Sequence, residues 1–152
     1  FALGSVPLDT AKRTADRLAR ASVAIMSHGP GAATMPPLLM LRDHGVRVFA
    51  GSDNIRDAWS PFGNGDMLER AMLIGYRGNY RRDEELAFTL DLVTTNAAKV
   101  LGLEDYGLRV GGPADLVVVE ADTVAEAVAT RPGRKMVIKA GRVVARDGAL
   151  VS

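Results

Sequence analysis

One aspartate near the middle of the chain lies where a carboxylate could take part in catalysis. Asp53 follows the apolar run Val46–Ala50 and the pair Gly51-Ser52, and a loop that carries Trp59 comes after it. A short run rich in β-branched and aromatic residues is typical of a strand buried on both faces. In α/β sheets and barrels, ligand-binding and catalytic groups lie just beyond the carboxyl ends of such strands. The stretch therefore predicts one wall of a small-molecule pocket.

Two other interpretations of Asp53 stay open on spacing alone. Aspartate often follows a strand simply because its side chain bonds the backbone of a turn. Alternatively, Asp53 is the phosphate acceptor of a flavodoxin-like or phosphatase-like domain. That reading is the weakest, because such domains need further carboxylates or a lysine at neighbouring strand ends. It also leaves the β-rich end of the chain unexplained.

The elements before Asp53 predict how it is positioned. Val23–Met26 is predicted as a strand, and a glycine-rich loop with His28 follows it. A helix begins at Pro36-Pro37 and stops at Gly45, and the next strand is Val46–Ala50. Strand, helix and strand at this spacing form a βαβ unit with parallel strands. The loops of His28 and Asp53 should then leave the same edge of the sheet.

The rest of the chain changes from helical to β-rich near Tyr106. The patterns predict further helices and strands by periodicity and turn residues. The predicted helices are Thr10–Ala21, Gly65–Tyr76, Asp83–Val93, Thr95–Leu101 and Val124–Ala129. The predicted strands are Ala114–Glu120 and a hairpin over Lys135–Ala145 that turns at Ala140-Gly141. The β-rich end offers no acid–base cluster, so we interpret it as structural.

Composition narrows the classes of function. The chain has 152 residues, 24% of them charged and 47% hydrophobic, with a formal net charge of +1. Mixed charge and the lack of a long apolar run argue against nucleic-acid and membrane partners. No cysteine is present, so disulfides and thiolate zinc sites are ruled out, and a cytoplasmic location fits best. Two histidines are too few for a complete metal site. Because Phe1 is not an initiator Met, we expect one piece of a larger fold.

Several motifs resemble one enzyme superfamily. Gly51–Asp57 and Trp59–Met67 resemble the last barrel strand and following loop of the amidohydrolase superfamily. The similarity is to its branch of cytosine deaminase and N-isopropylammelide isopropylaminohydrolase. Thr95–Gly102 resembles the helix after the barrel. Three later segments resemble the strands that close the superfamily's small β-sandwich: Tyr106–Leu108, Gly111–Val118 and Ile138–Val144.

The resemblance implies an α/β fold made of the C-terminal part of a (β/α)₈ TIM-type barrel and strands of a small β-sandwich domain. Residues 1–104 would hold the last β/α units and the post-barrel helices. Residues 105–152 would form part of the sandwich. The remaining N-terminal part of the same enzyme would be its partner, and a homo-oligomer is expected.

The resemblance also implies chemistry. One divalent ion, zinc or iron, would be bound by three histidines and one aspartate and would lower the pKa of a water towards about 7. The resulting hydroxide would release ammonia or an amine from a ring such as cytosine or an aminotriazine. Asp53 matches the aspartate that touches the metal and takes the proton. Trp59 matches an aromatic residue that lines the ring pocket, where it would stack on a flat substrate.

Some positions depart from the superfamily's pattern. His28 matches no metal histidine, so we expect it near the pocket mouth, in contact with substrate. The histidine ligands would lie outside this chain. Ser52 and Asn54 replace a histidine and an acidic residue of cytosine deaminase, which favours a different amino-substituted ring with Asn54 as a substrate contact. Arg56 and Asp57 are expected to form a salt bridge in the loop. The alternative function is a non-catalytic remnant without a metal.

Overall fold

Two short parallel strands carry the predicted site. The computed structural model describes residues 2–29, 31 and 34–151. In it β1, Ile25–Ser27, pairs in parallel with β2, Val48–Ala50, and helix α2, Leu38–Asp43, connects them. The predicted βαβ unit is confirmed. Both strands are shorter than predicted, because ladder pairing covers only Ile25 opposite Val48 to Ser27 opposite Ala50.

The helices follow the predicted order. Helix α3, Met67–Arg77, begins at an acidic N-cap, because Asp66 accepts hydrogen bonds from the backbone N–H groups of Leu68 and Glu69. Asn96 connects helix α5, Thr95–Val100, to the site, since its side-chain amide donates to the Val48 carbonyl at 3.0 Å. None of the helices in the described ranges has the length and apolar composition needed to cross a bilayer. Besides α2, they are α1 Leu8–Arg20, α3 Met67–Arg77, α4 Asp83–Val93, α5 Thr95–Val100 and α6 Val124–Thr130, after a 3₁₀ turn at Ala2–Gly4.

One apolar core supports the strand pair. Its fully buried side chains come from α1, α2, β2, α3, α4 and α6, so the helix of the β-rich segment packs into the same core as the site helices. Burial of large aliphatic groups is the main stabilising term in such a core. The largest of these buried side chains are Leu38, Leu41, Val48, Ile74, Leu92 and Val128.

An antiparallel sheet forms the end of the chain. Its strands pair in the order β3 Leu116–Val119, β4 Arg134–Lys139, β5 Arg142–Arg146 and β6 Ala149–Leu150. The predicted hairpin turn is confirmed at Ala140-Gly141, where both residues have positive φ, as a type I′ turn requires. Strand β6 was not predicted. It follows a second turn of this kind at Asp147-Gly148.

Candidate active site

The two parallel strands bring His28 and Asp53 together. His28 follows β1 and Asp53 follows β2, and His28 Nδ1 lies 3.8 Å from Asp53 Oδ2. The imidazole is 32% exposed and the carboxylate is 51% exposed. The prediction that both loops leave the same edge of the sheet is confirmed. The pair offers a carboxylate and an imidazole that water and a small molecule can reach.

The backbone at Asp53 is in a conformation that most side chains avoid. Its φ is 58°, in the left-handed region. Aspartate and asparagine enter that region more readily than other L-residues. Within the described part of the chain the Asp53 carboxylate accepts no hydrogen bond, and its nearest partner is the imidazole of His28. Its lone pairs are therefore free to bind an ion or a water.

Helix α3 braces both strand ends. The Arg70 guanidinium donates to the His28 carbonyl at 2.8 Å and to the Ser52 carbonyl at 2.6 Å. Two turns further along the same face of α3, Arg77 donates to the Gly29 carbonyl at 2.5 Å. Partial burial lowers the pKa of Arg70, and the negative charges of Glu69 and Asp53 oppose that shift. Sequence reasoning missed Arg70, and the available signal was its place on the first helix after the site loop.

Gly29 lets the loop after β1 lie against α3. Its φ is +79°, and an added Cβ would lie 2.5 Å from Ile74 Cγ1. Gly29→Ala should therefore destabilise the protein beyond the cost of the left-handed backbone alone. Gly102, with φ +70° and open space around it, is the matched control.

We expect Gly102→Ala to cost about 1–2 kcal/mol. Gly29→Ala should cost about 1–3 kcal/mol more, because the added methyl group would overlap the fully buried Ile74 side chain. Urea titration of both variants measures the difference. Equal losses would show that Ile74 relaxes away from the new methyl group.

The loop after Asp53 is organised by Asp57. Its carboxylate accepts hydrogen bonds from the Asn54 side-chain amide at 2.6 Å and from the Trp59 and Ser60 backbone N–H groups at 2.9 and 3.0 Å. The expected salt bridge between Arg56 and Asp57 is wrong. Asp57 bonds its own loop instead, as aspartate does in tight turns. The Asn54 amide thus holds the loop, and its substrate role stays a prediction.

These hydrogen bonds make the loop sensitive to acid. The bond from Asn54, followed by those from Trp59 and Ser60, lowers the pKa of Asp57 below its usual 3.8. A carboxyl group whose pKa is lower in the folded state than in the unfolded state stabilises the fold at any pH above its unfolded-state pKa. This contribution is lost as the pH falls through the folded-state pKa. Trp59 fluorescence should therefore change below about pH 3.8.

The fluorescence experiment is specific because Trp59 is the only tryptophan of the chain. Asp57→Asn keeps a side-chain oxygen for the turn but has no carboxyl group to titrate. Its fluorescence should stay constant over the same range while far-UV circular dichroism reports the global fold. An unchanged transition in Asp57→Asn would assign the acid response to another group.

Trp59 lies at the exposed part of this loop. Its side chain is 88% exposed, and Phe62, three residues on, is 78% exposed. Large aromatic groups this exposed are available to a ligand or to a neighbouring protein surface. The structure thus brings His28 and Asp53 together, joins Asn54 to Asp57, and leaves the Trp59 ring free.

The donor set can be compared with what a metal needs. Among the described residues no group of three or more His, Cys, Asp or Glu side chains is close enough to hold an ion. Zinc in catalytic sites takes three protein ligands, with carboxylate oxygen among the accepted types. The free Asp53 carboxylate fits one ligand position, and the remaining ligands would have to come from outside this chain.

The Asp53 carboxylate and the His28 imidazole lie beyond the C-terminal ends of two parallel strands. This is the place where α/β proteins of the barrel and open-sheet classes have their functional sites. Residues 3–145 match the amidohydrolase family, and the chain belongs to that family. The resemblance to this superfamily, and to its branch, is confirmed.

Three known proteins show how far the similarity extends. The crystal structure of N-isopropylammelide isopropylaminohydrolase from Burkholderia multivorans is 45% identical over 99% of this chain and 39% of its own, with a TM-score of 0.94. N-isopropylammelide isopropyl amidohydrolase from Pseudomonas sp. (strain ADP) is 38% identical over 76% of this chain and 29% of its own length. The 5-methylcytosine deaminase of Klebsiella pneumoniae, liganded with 5-fluorocytosine, is 25% identical over 99% of this chain and 40% of its own, with a TM-score of 0.85. The chain thus spans less than half the length of each protein.

Proposed function

We propose that this chain is the C-terminal part of a metal-dependent hydrolase of the deaminase type. The reaction would add water to a ring carbon that bears an amino or alkylamino group and release ammonia or an amine. The substrate would be a nitrogen heterocycle such as cytosine or an aminotriazine. The observation that carries the proposal is the Asp53 carboxylate at the end of β2, free of hydrogen bonds from the described residues and 3.8 Å from His28.

Asp53 has two roles in this proposal. It supplies one oxygen ligand to a zinc or iron ion whose histidine ligands lie in the N-terminal part of the same enzyme. The ion, when bound, makes water a better nucleophile at neutral pH. The carboxylate would accept the proton that the attacking water loses and donate it to the leaving nitrogen.

The neighbouring side chains would bind the ring. The exposed Trp59 indole stacks on the flat heterocycle, and stacking suits any ring with a π face. His28, in ion-pair range of Asp53, contacts the substrate from the loop after β1. Asn54 lies in the same loop as Trp59, and its carbonyl oxygen is the part of its amide that Asp57 does not use.

The second candidate is a non-catalytic remnant of the same fold. In it the fold persists without a metal site; the described residues 2–29, 31 and 34–151 hold no metal-binding group of side chains by themselves, which both candidates share. The sequence upstream of Phe1 separates the two candidates. A strand that ends His-x-His, and a later strand that ends in His, support the hydrolase, whereas their absence supports the remnant.

The direct test is an activity screen of the full-length protein loaded with zinc or iron. Cytosine, isoguanine, creatinine and alkylamino-triazines are incubated with it, and release of ammonia or amine is measured. Turnover of at least one ring that stops on chelation and returns with metal is the expected result. No turnover on any ring, in a protein that binds metal in stoichiometric amount, would contradict the deaminase proposal.

A further inference from the structure

Arg70 connects the two halves of the site through the backbone. Its Nη1 donates to the His28 carbonyl and its Nη2 donates to the Ser52 carbonyl. These carbonyls belong to different loops, one after β1 and one after β2. A guanidinium presents its N–H groups in a rigid fork, so one side chain can hold two acceptors at a fixed separation. The fork therefore sets the distance between the two loops.

We propose that Arg70 is a positioning residue for the reaction, which keeps the Asp53 carboxylate and the His28 imidazole at their working separation by holding both strand ends. This inference rests on the proposed function and deepens it. The described hydrogen bonds of Arg70 go to two backbone carbonyls, so in this proposal it acts through the backbone and not on the substrate or a reacting atom. Its effect should therefore fall on the geometry of the pair rather than on binding of the ring.

The contact with Ser52 explains how a distant guanidinium controls Asp53. The Ser52 carbonyl is part of the planar peptide group that joins Ser52 to Asp53, so turning it changes the ψ angle of Ser52 and the φ angle of Asp53 together. The φ angle of Asp53 is 58°, in the left-handed region, which costs free energy even for an aspartate and is kept more firmly when surrounding structure holds it. The 2.6 Å bond from Arg70 supplies that constraint. Without it the carboxylate would turn away from the edge it shares with His28.

Arg70 differs from the other arginine on its helical face. Arg77 donates to the Gly29 carbonyl, which lies in the loop after β1. Gly29 also packs closely against Ile74 of the same helix. The β1 loop therefore has several attachments to α3, whereas the described hydrogen bond from α3 to the backbone just before Asp53 is that of Arg70. Loss of Arg70 should thus release Asp53 more than His28.

The test uses the full-length protein and the variants Arg70→Lys, Arg70→Gln and Arg77→Lys. A lysine ammonium keeps the charge but lacks the planar fork, so we expect Arg70→Lys to release one of the two carbonyls. Misplacement of a catalytic group by about 1 Å costs on the order of 10²-fold, and we expect kcat to fall by about 10–100-fold in both Arg70 variants. KM should change by less than about threefold, because Trp59 keeps its place and the His28 loop keeps its attachments to α3 through Arg77 and Gly29. Arg77→Lys should keep kcat within about threefold, because the ammonium keeps the charge and can donate to the Gly29 carbonyl, which lies in the β1 loop and not next to Asp53.

Hydrogen exchange measured by mass spectrometry gives a readout that does not need activity. In Arg70→Lys and Arg70→Gln the peptide that contains Asp53 should exchange faster, while peptides from α4 keep their wild-type rates. Arg77→Lys should leave the Asp53 peptide unchanged. Thermal unfolding checks that all three variants fold. If the lysine of Arg70→Lys reaches both carbonyls, the Arg70→Gln variant tests the positioning role instead, because its side chain is shorter and uncharged.

The outcomes separate this inference from the proposed function. Unchanged exchange at Asp53 in both Arg70 variants overturns the positioning role, whatever the activity. Equal kcat losses in Arg70→Lys and Arg77→Lys also overturn it, because they would indicate a general structural role of the helix face. If the wild type turns over no ring but exchange at Asp53 rises, the proposed function fails while the control of Asp53 by Arg70 stands.

Discussion

Replacement of Asp53 by asparagine should lower kcat of the full-length enzyme by about 10²–10⁴-fold, the range that a lost general base or acid produces. The amide keeps the shape of the side chain but neither accepts the water's proton nor donates it to the leaving nitrogen. Asparagine tolerates the left-handed backbone at this position, so the fold should stay intact. Steady-state kinetics on the best substrate of the screen, with thermal unfolding beside it, measure both effects.

Asp57→Asn is the matched control for this experiment. It removes a carboxylate four residues away in the same loop but keeps an oxygen for the N–H groups of Trp59 and Ser60. Its kcat should fall far less than that of Asp53→Asn, with a similar unfolding midpoint. Near-normal activity of Asp53→Asn would remove Asp53 from the mechanism. Comparable losses in both variants would mean that loop conformation, rather than proton transfer, limits the rate.

The sequence was sufficient to predict the edge on which the site lies. Two short runs of β-branched and aromatic residues separated by a Pro-initiated helix leave little choice of topology, because strands joined by such a crossover are parallel. The side chains that follow the two strands must then meet, as His28 and Asp53 do at 3.8 Å. The signal worked because the chemistry-bearing residues immediately follow the buried strands.

The contacts that organise the site were not predictable in the same way. Arg70 lies on a helix with other charged residues, and a charged residue on such a helix is usually interpreted as solvent-facing. Only the packing of α3 against both loops shows that its guanidinium reaches two carbonyls. The partners of Asp57 were not predictable from the sequence either, and its neighbour Arg56 suggested an ion pair. Turn geometry decided its partners, and adjacent residues seldom face each other.

The missed strand β6 has a different cause. Asp147-Gly148 is a strong signal for a two-residue hairpin turn, but only Ala149–Leu150 pairs after it. Two residues are too few to show alternation of apolar and polar side chains. The hairpin was therefore not predicted, because the turn residues were present but the strand after them left no periodic pattern. Both residues of β6 are also exposed, so the strand has no buried apolar position that the sequence could mark.

Trp59→Ala should raise KM for the heterocycle with little change in kcat. Stacking of a base on an aromatic side chain is worth about 1–3 kcal/mol when measured by alanine substitution, which corresponds to a KM increase of about 5–150-fold. Trp59 is 88% exposed without substrate, so its indole can bury surface against a bound ligand. Stacking binds the heterocycle equally in the ground state and in the transition state. Its loss therefore weakens substrate binding without slowing the chemical step. Trp59→Phe keeps a smaller π face and should lie between alanine and wild type.

Phe62→Ala distinguishes stacking by Trp59 from general hydrophobic character of the loop. Phe62 is 78% exposed on the same loop, and its backbone carbonyl, which the substitution preserves, accepts the bond from the Arg56 N–H. If Trp59 alone contacts the ring, Phe62→Ala leaves KM unchanged while Trp59→Ala raises it. Equal increases in both variants would show that the loop covers the substrate as a unit. An unchanged KM in Trp59→Ala would place the ring elsewhere along the edge, nearer to His28.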